Sequence, residues 1–132
     1  MEEKLIEFKT AKLAKKKGFI LHTLDTFYQY DGSISLCHYK SKRALYVQDM
    51  ERVECYAPTQ ALLQKWLRDV HKLTMNIHPV ENGKWEFVIF ILKKPLPERG
   101  FENIMSLHVE PYRWDTYEEA LERALKEALK LI

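Results

Sequence analysis

Cysteine is scarce in this sequence, an apolar run long enough to cross a bilayer is missing, and neither sign of charge is in excess. Of 132 residues only Cys37 and Cys55 are cysteines. A chain of this length with 46% apolar residues can build its core without crosslinks, so both thiols are expected reduced and mostly buried. No stretch reaches about 18 consecutive apolar residues, and the opening MEEKLIEFKTAK lacks the basic-then-apolar order of an export signal. A cytoplasmic protein with no membrane partner is expected. With 21 basic and 19 acidic residues, the net charge of +2 creates no overall field that would gather nucleic acid or an anionic surface. Charge is informative only where it is local.

The common signatures of reactive sites are missing as well: there is no GxGxxG, no GxxxxGKS or GxxxxGKT, no HExxH and no GxSxG. Cys37 and His38 with Cys55 and His71 or His78 would supply thiolate and imidazole to a metal. The spacing argues against it, because structural zinc sites bring ligands in pairs two to four residues apart on a turn, whereas neighbours on a strand point to opposite faces. Cys55 precedes Tyr56, Ala57 and Pro58 in a stretch that reads as a pre-helical loop, whose exposure a nucleophile would require, but no Gly-rich turn or oxyanion signature accompanies it. The pairs Glu2-Glu3 and Glu118-Glu119 fall at chain or helix starts, where the helix dipole accounts for them. No catalytic residue, cofactor or metal is therefore expected, and an enzyme is the least supported class.

The segment Glu7 to Lys17 reads as a helix stopped by Gly18, with Ile6, Thr10, Leu13 and Ala14 as a narrow docking face. Asp31-Gly32, between Thr26–Tyr30 and Ser33–His38, matches a two-residue hairpin turn, and Ala44–Gln48 reads as a third strand. A second helix begins at Gln60 after Thr59, with Leu62, Leu63, Trp66, Leu67 and Val70 on one face and Gln64, Lys65, Arg68, Asp69 and Lys72 left for solvent. It runs into the stretch 73–92, LTMNIHPVENGKWEFVIFIL, two strands joined at Asn82-Gly83. The second of them, Trp85 to Leu92, has one charge and reads as the middle of a sheet covered on both faces. A two-residue turn there would place Thr74, Asn76 and His78 on one face with Trp85, Phe87 and Ile89. It would also set Pro79 opposite Glu86, where a backbone donor is needed, so either the loop is longer or the first strand is an edge.

KKPLPERG, residues 93–100, reads as a connector, and Asn103–Val109 as a further strand. Thr116 with Glu119 forms a capping-box pattern ahead of a last helix. Its apolar face is Tyr117, Ala120, Leu121, Ala124, Leu125, Ala128 and Leu129; Glu118, Glu122, Arg123, Lys126, Glu127 and Lys130 fall opposite, with Glu122 and Lys126 as an i, i+4 pair. The expected fold is α+β: an antiparallel sheet of about four to six strands packed against amphipathic helices at 59–72 and 116–131, plus an N-terminal helix. No repeat, low-complexity tract or long linker divides residues 1–132, which read as a single domain.

Two local basic clusters stand out, Lys9 to Lys17 and Lys40 to Arg43, interleaved with Phe27, Tyr28, Tyr30, Tyr39 and Tyr46. Cations follow phosphates and flat rings stack on unpaired bases, so Lys12, Lys15, Lys16, Lys17, Lys42 and Arg43 are the candidate nucleic-acid contacts. The plainer account has strand aromatics pairing in a core and lysines on a solvated helix face. An edge strand in the central hairpin offers a different surface, on which a partner strand or a second copy of the chain would add.

The phrases Ala57-Pro58-Thr59-Gln60 with LLQKWLRDVHKL, DTYEEALERALKEALKLI, and FKTAKLAKKKGF from Phe8 to Phe19 are similar to segments of small uncharacterised proteins of prophages and conjugative elements in Bacteroidetes. They cover roughly a third of the chain. That resemblance implies a phage or mobile-element accessory protein working inside the cell; it brings no catalytic residues with it. The last helix after a strand also resembles the end of HicB-type antitoxins, whose sheet and helix pair with a toxin. The resulting expectation is a non-catalytic protein acting through protein–protein interaction, possession of a second copy as partner included, with a small nucleic-acid-binding protein as the alternative.

Overall fold

A computed structural model describes residues 3–19, 26–29, 31–36, 53–96, 100–103 and 113–132. Helices and small antiparallel sheets alternate along the chain, an α+β fold, and the residues group into two compact units, Met1–Thr59 and Gln60–Ile132. The six described strands form two sheets of three; the single sheet of about four to six strands expected from the sequence is not what they compose.

The first unit holds helix α1 (Phe8–Lys16) and strands β1 (Thr26–Gln29), β2 (Ile34–Leu36) and β3 (Val53–Tyr56), in the order β2-β1-β3. α1 starts after extended Glu7 and ends where Gly18 takes φ 92°, a conformation that costs a residue with Cβ about 1–2 kcal/mol. Ile6, Thr10, Ala11 and Ala14 are buried and Leu13 is half-buried, so the docking face runs one position wider than the spacing indicated. α1 packs on β3. Tyr28 fastens the two: its hydroxyl donates to Ile6 O at 2.6 Å and its ring meets Phe8 at 5.2 Å.

The β1–β2 turn is one residue longer than a two-residue type I′ turn. Thr26 pairs with Leu36 and Tyr28 with Ile34, Gly32 N donates to Gln29 O, and Gln29 N donates to Ser33 O. Gly32 has φ 85°, the left-handed conformation that glycine adopts without cost at the end of such a loop. Asp31 Oδ1 accepts from Ser33 N and Oγ at 2.8 and 2.6 Å, bonds that hold its carboxyl below the usual range. Cβ at position 32 would stand 3.4 Å from the Phe8 ring, an ordinary contact, so it is the positive φ and not lack of space that favours glycine there. The strand expected at Ala44–Gln48 lies outside the described residues.

The second unit holds α2 (Gln60–His71), β4 (Leu73–Pro79), β5 (Trp85–Leu96), β6 (Gly100–Asn103) and α3 (Tyr117–Lys130), with sheet order β4-β5-β6. β5 is central, as its composition suggested. It extends through 93–96, where a connector was expected; a register shift between Leu92 and Pro95 accommodates a residue that cannot donate to a regular ladder. Of the strand expected at Asn103–Val109, only Asn103 is described.

α2 and α3 lie against β4, and α3 also against β5. The core between them contains Leu63, Leu67, Leu73, Met75, Phe87, Ile89, Ala120, Leu121, Ala124, Leu125, Ala128 and Leu129. Thr116 caps α3 by accepting from Glu119 N at 3.1 Å, while Glu119 reaches back to Asp115 N rather than to the cap residue itself.

Four expected exposures are reversed. Val70 is 58% exposed and Tyr117 38%, because each falls at an end of its helix, beyond the buried stretch. Glu122 and Glu127 are buried instead of solvated. Glu122 accepts from Gln60 Nε2 at 3.0 Å rather than pairing with Lys126, and Glu127 lies 3.1 Å from Arg123 Nε and 3.0 Å from Lys130 Nζ. Buried carboxylates survive where such partners replace water.

Candidate functional site

The geometry of the β4–β5 hairpin follows from its loop. Pro79 pairs with Trp85, so Val80 to Lys84 make the connection, with a single 3-10 turn at Glu81–Gly83. Asn82 and Gly83 do take positive φ, 61° and 68°, but within this longer loop. The pairing therefore sets Thr74 against Phe90, Asn76 against Val88 and His78 against Glu86. This corrects the face expected from a two-residue turn: Thr74, Asn76 and His78 do not share a face with Trp85, Phe87 and Ile89. Leu73, Met75 and Ile77 do, and that is the face the helices cover.

Backbone directions are settled by two bonds. Val80 N donates to Lys84 O at 2.8 Å, so by the two-residue alternation of an antiparallel ladder His78, Asn76 and Thr74 exchange bonds with β5. Trp85 N instead donates to Trp114 O at 2.8 Å and Trp85 O accepts from Trp114 N, away from β4. The amides of Leu73, Met75 and Ile77 and the carbonyl of Pro79 consequently point to the outer side of β4, where no described strand pairs with them. Pro79 is tolerated because its missing N–H would have faced that edge. Both options left open by the sequence hold: the loop is longer, and among the described strands β4 is an edge.

On the sheet face away from the helices, Glu86 links His78 Nε2 at 3.6 Å and Arg113 Nε at 3.3 Å. Arg113 is exposed and His78 and Glu86 are half-buried, open enough to water that the cluster orients side chains more than it stabilises the fold. On the helix-covered face, Trp85 meets Tyr117 at 5.5 Å and Phe87 meets Trp114 at 5.0 Å.

In the first unit Lys12, Lys15 and Lys16 are exposed along α1 and Lys17 is half-buried just beyond it. Lys9, not among the six candidates, is exposed as well. Lys42 and Arg43 lie outside the described residues, as do Tyr30, Tyr39 and Tyr46. Tyr28 is buried against Phe8 and Ile6, not displayed for stacking.

Cys55 is free and 2% exposed, the buried thiol expected, and only its placement in a pre-helical loop is corrected: it belongs to strand β3 and pairs with Tyr28. Among the described residues no three of His, Cys, Asp or Glu converge in a way that would hold a metal. Cys37 and His38 lie outside the described residues. His71 packs edge-on against Trp66 at 4.6 Å.

The β4 edge was readable in part. In both strands the apolar positions facing the core are odd-numbered, 73, 75 and 77 with 85, 87, 89 and 91, and only a loop of odd length pairs odd with odd. Val88 and Phe90 on the even positions of β5 masked that signal. Among the described residues no helix is long and apolar enough to cross a membrane. Comparison with protein-family models, with curated proteins and with solved structures returned no match.

Proposed function

We propose that this protein is a non-catalytic accessory protein of phage or mobile-element origin, working in the cytoplasm by binding another protein, which adds an extended strand to the outer edge of β4. The observation that carries this reading is the row of outward amides and carbonyls from Leu73 to Pro79, on a strand whose inner face is already anchored by α2 and α3. Strand addition draws its affinity from such main-chain bonds and its selectivity from side chains near the edge, here exposed Asn76 and half-buried Thr74 and His78. The likeness of the opening, of α2 and of α3 to prophage and conjugative-element proteins supports the origin. The partner is a second protein or a second copy of this chain.

The test places a photo-crosslinking amino acid at Asn76 in cells and measures mass in solution by light scattering. A crosslinked partner or a dimer is expected, and Ile77→Pro, which deletes one outward N–H, should remove it. Because Ile77→Pro also disturbs packing, Asn76→Lys serves as the second variant, a charge of the kind that protects natural edges. A strict monomer that forms no crosslink, or a partner retained by both folded variants, would overturn the reading.

A further inference from the structure

Lysine is the only charged residue type between Phe8 and Leu24, and the fold decides how those lysines are displayed. Thr10, Ala11 and Ala14 turn inward on α1. At about 100° per residue, Lys9, Lys12 and Lys16 fall within about 60° of one another on the side opposite to that buried face. All three are exposed. No ion pair neutralises Lys9, Lys12 or Lys16 among the described residues, while Lys15 and Lys17 engage other groups. The Lys12 ammonium stands 5.3 Å from the centre of the Phe8 ring, an interaction that steadies its position without cancelling its charge.

Cations at the last turn suit the helix dipole, which accounts for Lys15 and Lys16. It does not account for Lys9, in the first turn of α1 where positive charge is unfavourable, or for Lys12 at the middle of the helix, where the dipole has little effect. A stripe of this kind asks for an anionic partner with charges repeated along a line. Lys9 to Lys16 spans about 10 Å of helix axis at 1.5 Å per residue. One strand of duplex nucleic acid carries a phosphate about every 3.4 Å of its axis, so the stripe faces about three phosphates with three cations.

An anionic membrane would meet the same charges, but interfacial helices bind by burying an apolar face in the lipid. The apolar face of α1 is already committed to β3. We infer that Lys9, Lys12 and Lys16 of α1 form a phosphate-backbone contact surface for nucleic acid, independent of sequence. It goes beyond the protein-binding reading and lies in the other unit, so either can fail alone.

Fluorescence anisotropy of the full chain with labelled 20-mer duplex DNA, single-stranded DNA and single-stranded RNA tests this. Binding in at least one arm at 50 mM salt should weaken with a log–log slope of about −2 to −3, as expected for three released counterions. The triple change Lys9→Gln, Lys12→Gln and Lys16→Gln should weaken binding by roughly tenfold or more at 50 mM salt and flatten the slope by about 2 to 3. Replacing Lys65, Lys126 and Lys130 of the second unit by Gln alters net charge equally and should leave binding intact. Circular dichroism of both triple variants establishes that the helix content contributed by α1, α2 and α3 persists. No binding in any arm, equal loss in both triple variants, or retention by the first, would overturn the inference. Binding to phosphatidylserine vesicles without binding to any nucleic acid would overturn it in favour of a membrane surface.

Discussion

Thr10 is fully buried in α1 and its hydroxyl finds no hydrogen-bond partner among the described residues. Burying a hydroxyl unpaired costs more than the hydroxyl contributes, and valine has nearly the same shape. Thr10→Val is therefore expected to raise stability by about 1 kcal/mol, read as a shift in urea midpoint at unchanged slope. Asp69 illustrates a surface effect with a defined sign. Its carboxyl is held below the usual range first by the hydrogen bond from Lys65, with Lys65 and Arg68 adding charge attraction. A lowered folded-state value stabilises the fold above the unfolded carboxyl range and loses that effect as pH falls through the folded value. The thermal-melt difference between wild type and Asp69→Asn should accordingly be constant at neutral pH and close below about pH 4. Single residues were the least legible level. Val70 and Glu122 exchanged their expected exposures because spacing ranks the sides of a helix without knowing how far along it the cover extends or what polar partner stands opposite.

Helices were legible as elements: the start of α2 at Gln60, the Gly18 stop of α1 and the Thr116 cap of α3 all follow from local chemistry. How α2 joins β4 was not. Lys72 takes φ 59° so that the strand can begin at Leu73, a conformation unfavourable for a residue with Cβ. Lys72→Gly is expected to relieve it and stabilise by about 0.5–1 kcal/mol, net of the lost bond from Lys72 Nζ to Asp69 O. A smaller melt temperature than wild type would contradict the strain. Gln60 ties α2 to α3 by donating to Glu118 O at 2.9 Å and to buried Glu122. Gln60→Ala should cost about 1–3 kcal/mol by leaving those acceptors short of a donor, and Glu122→Gln in the same background should recover part of it. Strand register was the element-level failure. An Asn-Gly or Asp-Gly pair serves equally in a two-residue or a longer turn, and one residue of difference moves every side chain to the other face.

At the scale of the whole molecule, the second unit has one core to which α2, α3, β4 and β5 all contribute. Ile89 and Leu125 come from different elements and both are fully buried, so Ile89→Ala and Leu125→Ala should each destabilise the same transition by about 2–5 kcal/mol. Two separate transitions with each mutation moving only one would show that the sheet and α3 do not share a core. The boundary between the two units falls at Thr59–Gln60, inside a stretch whose sequence announces a helix start and no linker. Sequence by itself determined the α+β class, the three described helices and the central place of β5, because helix caps, glycine stops and apolar periodicity act within a few residues of where they are written. Only the tertiary structure decided that β4 is an edge among the described strands, that the buried thiol of Cys55 belongs to strand β3 and not to a pre-helical loop, and that Lys9 joins Lys12 and Lys16 on one open face. Each of these depends on which distant segment occupies the neighbouring space, and no local pattern encodes its neighbour.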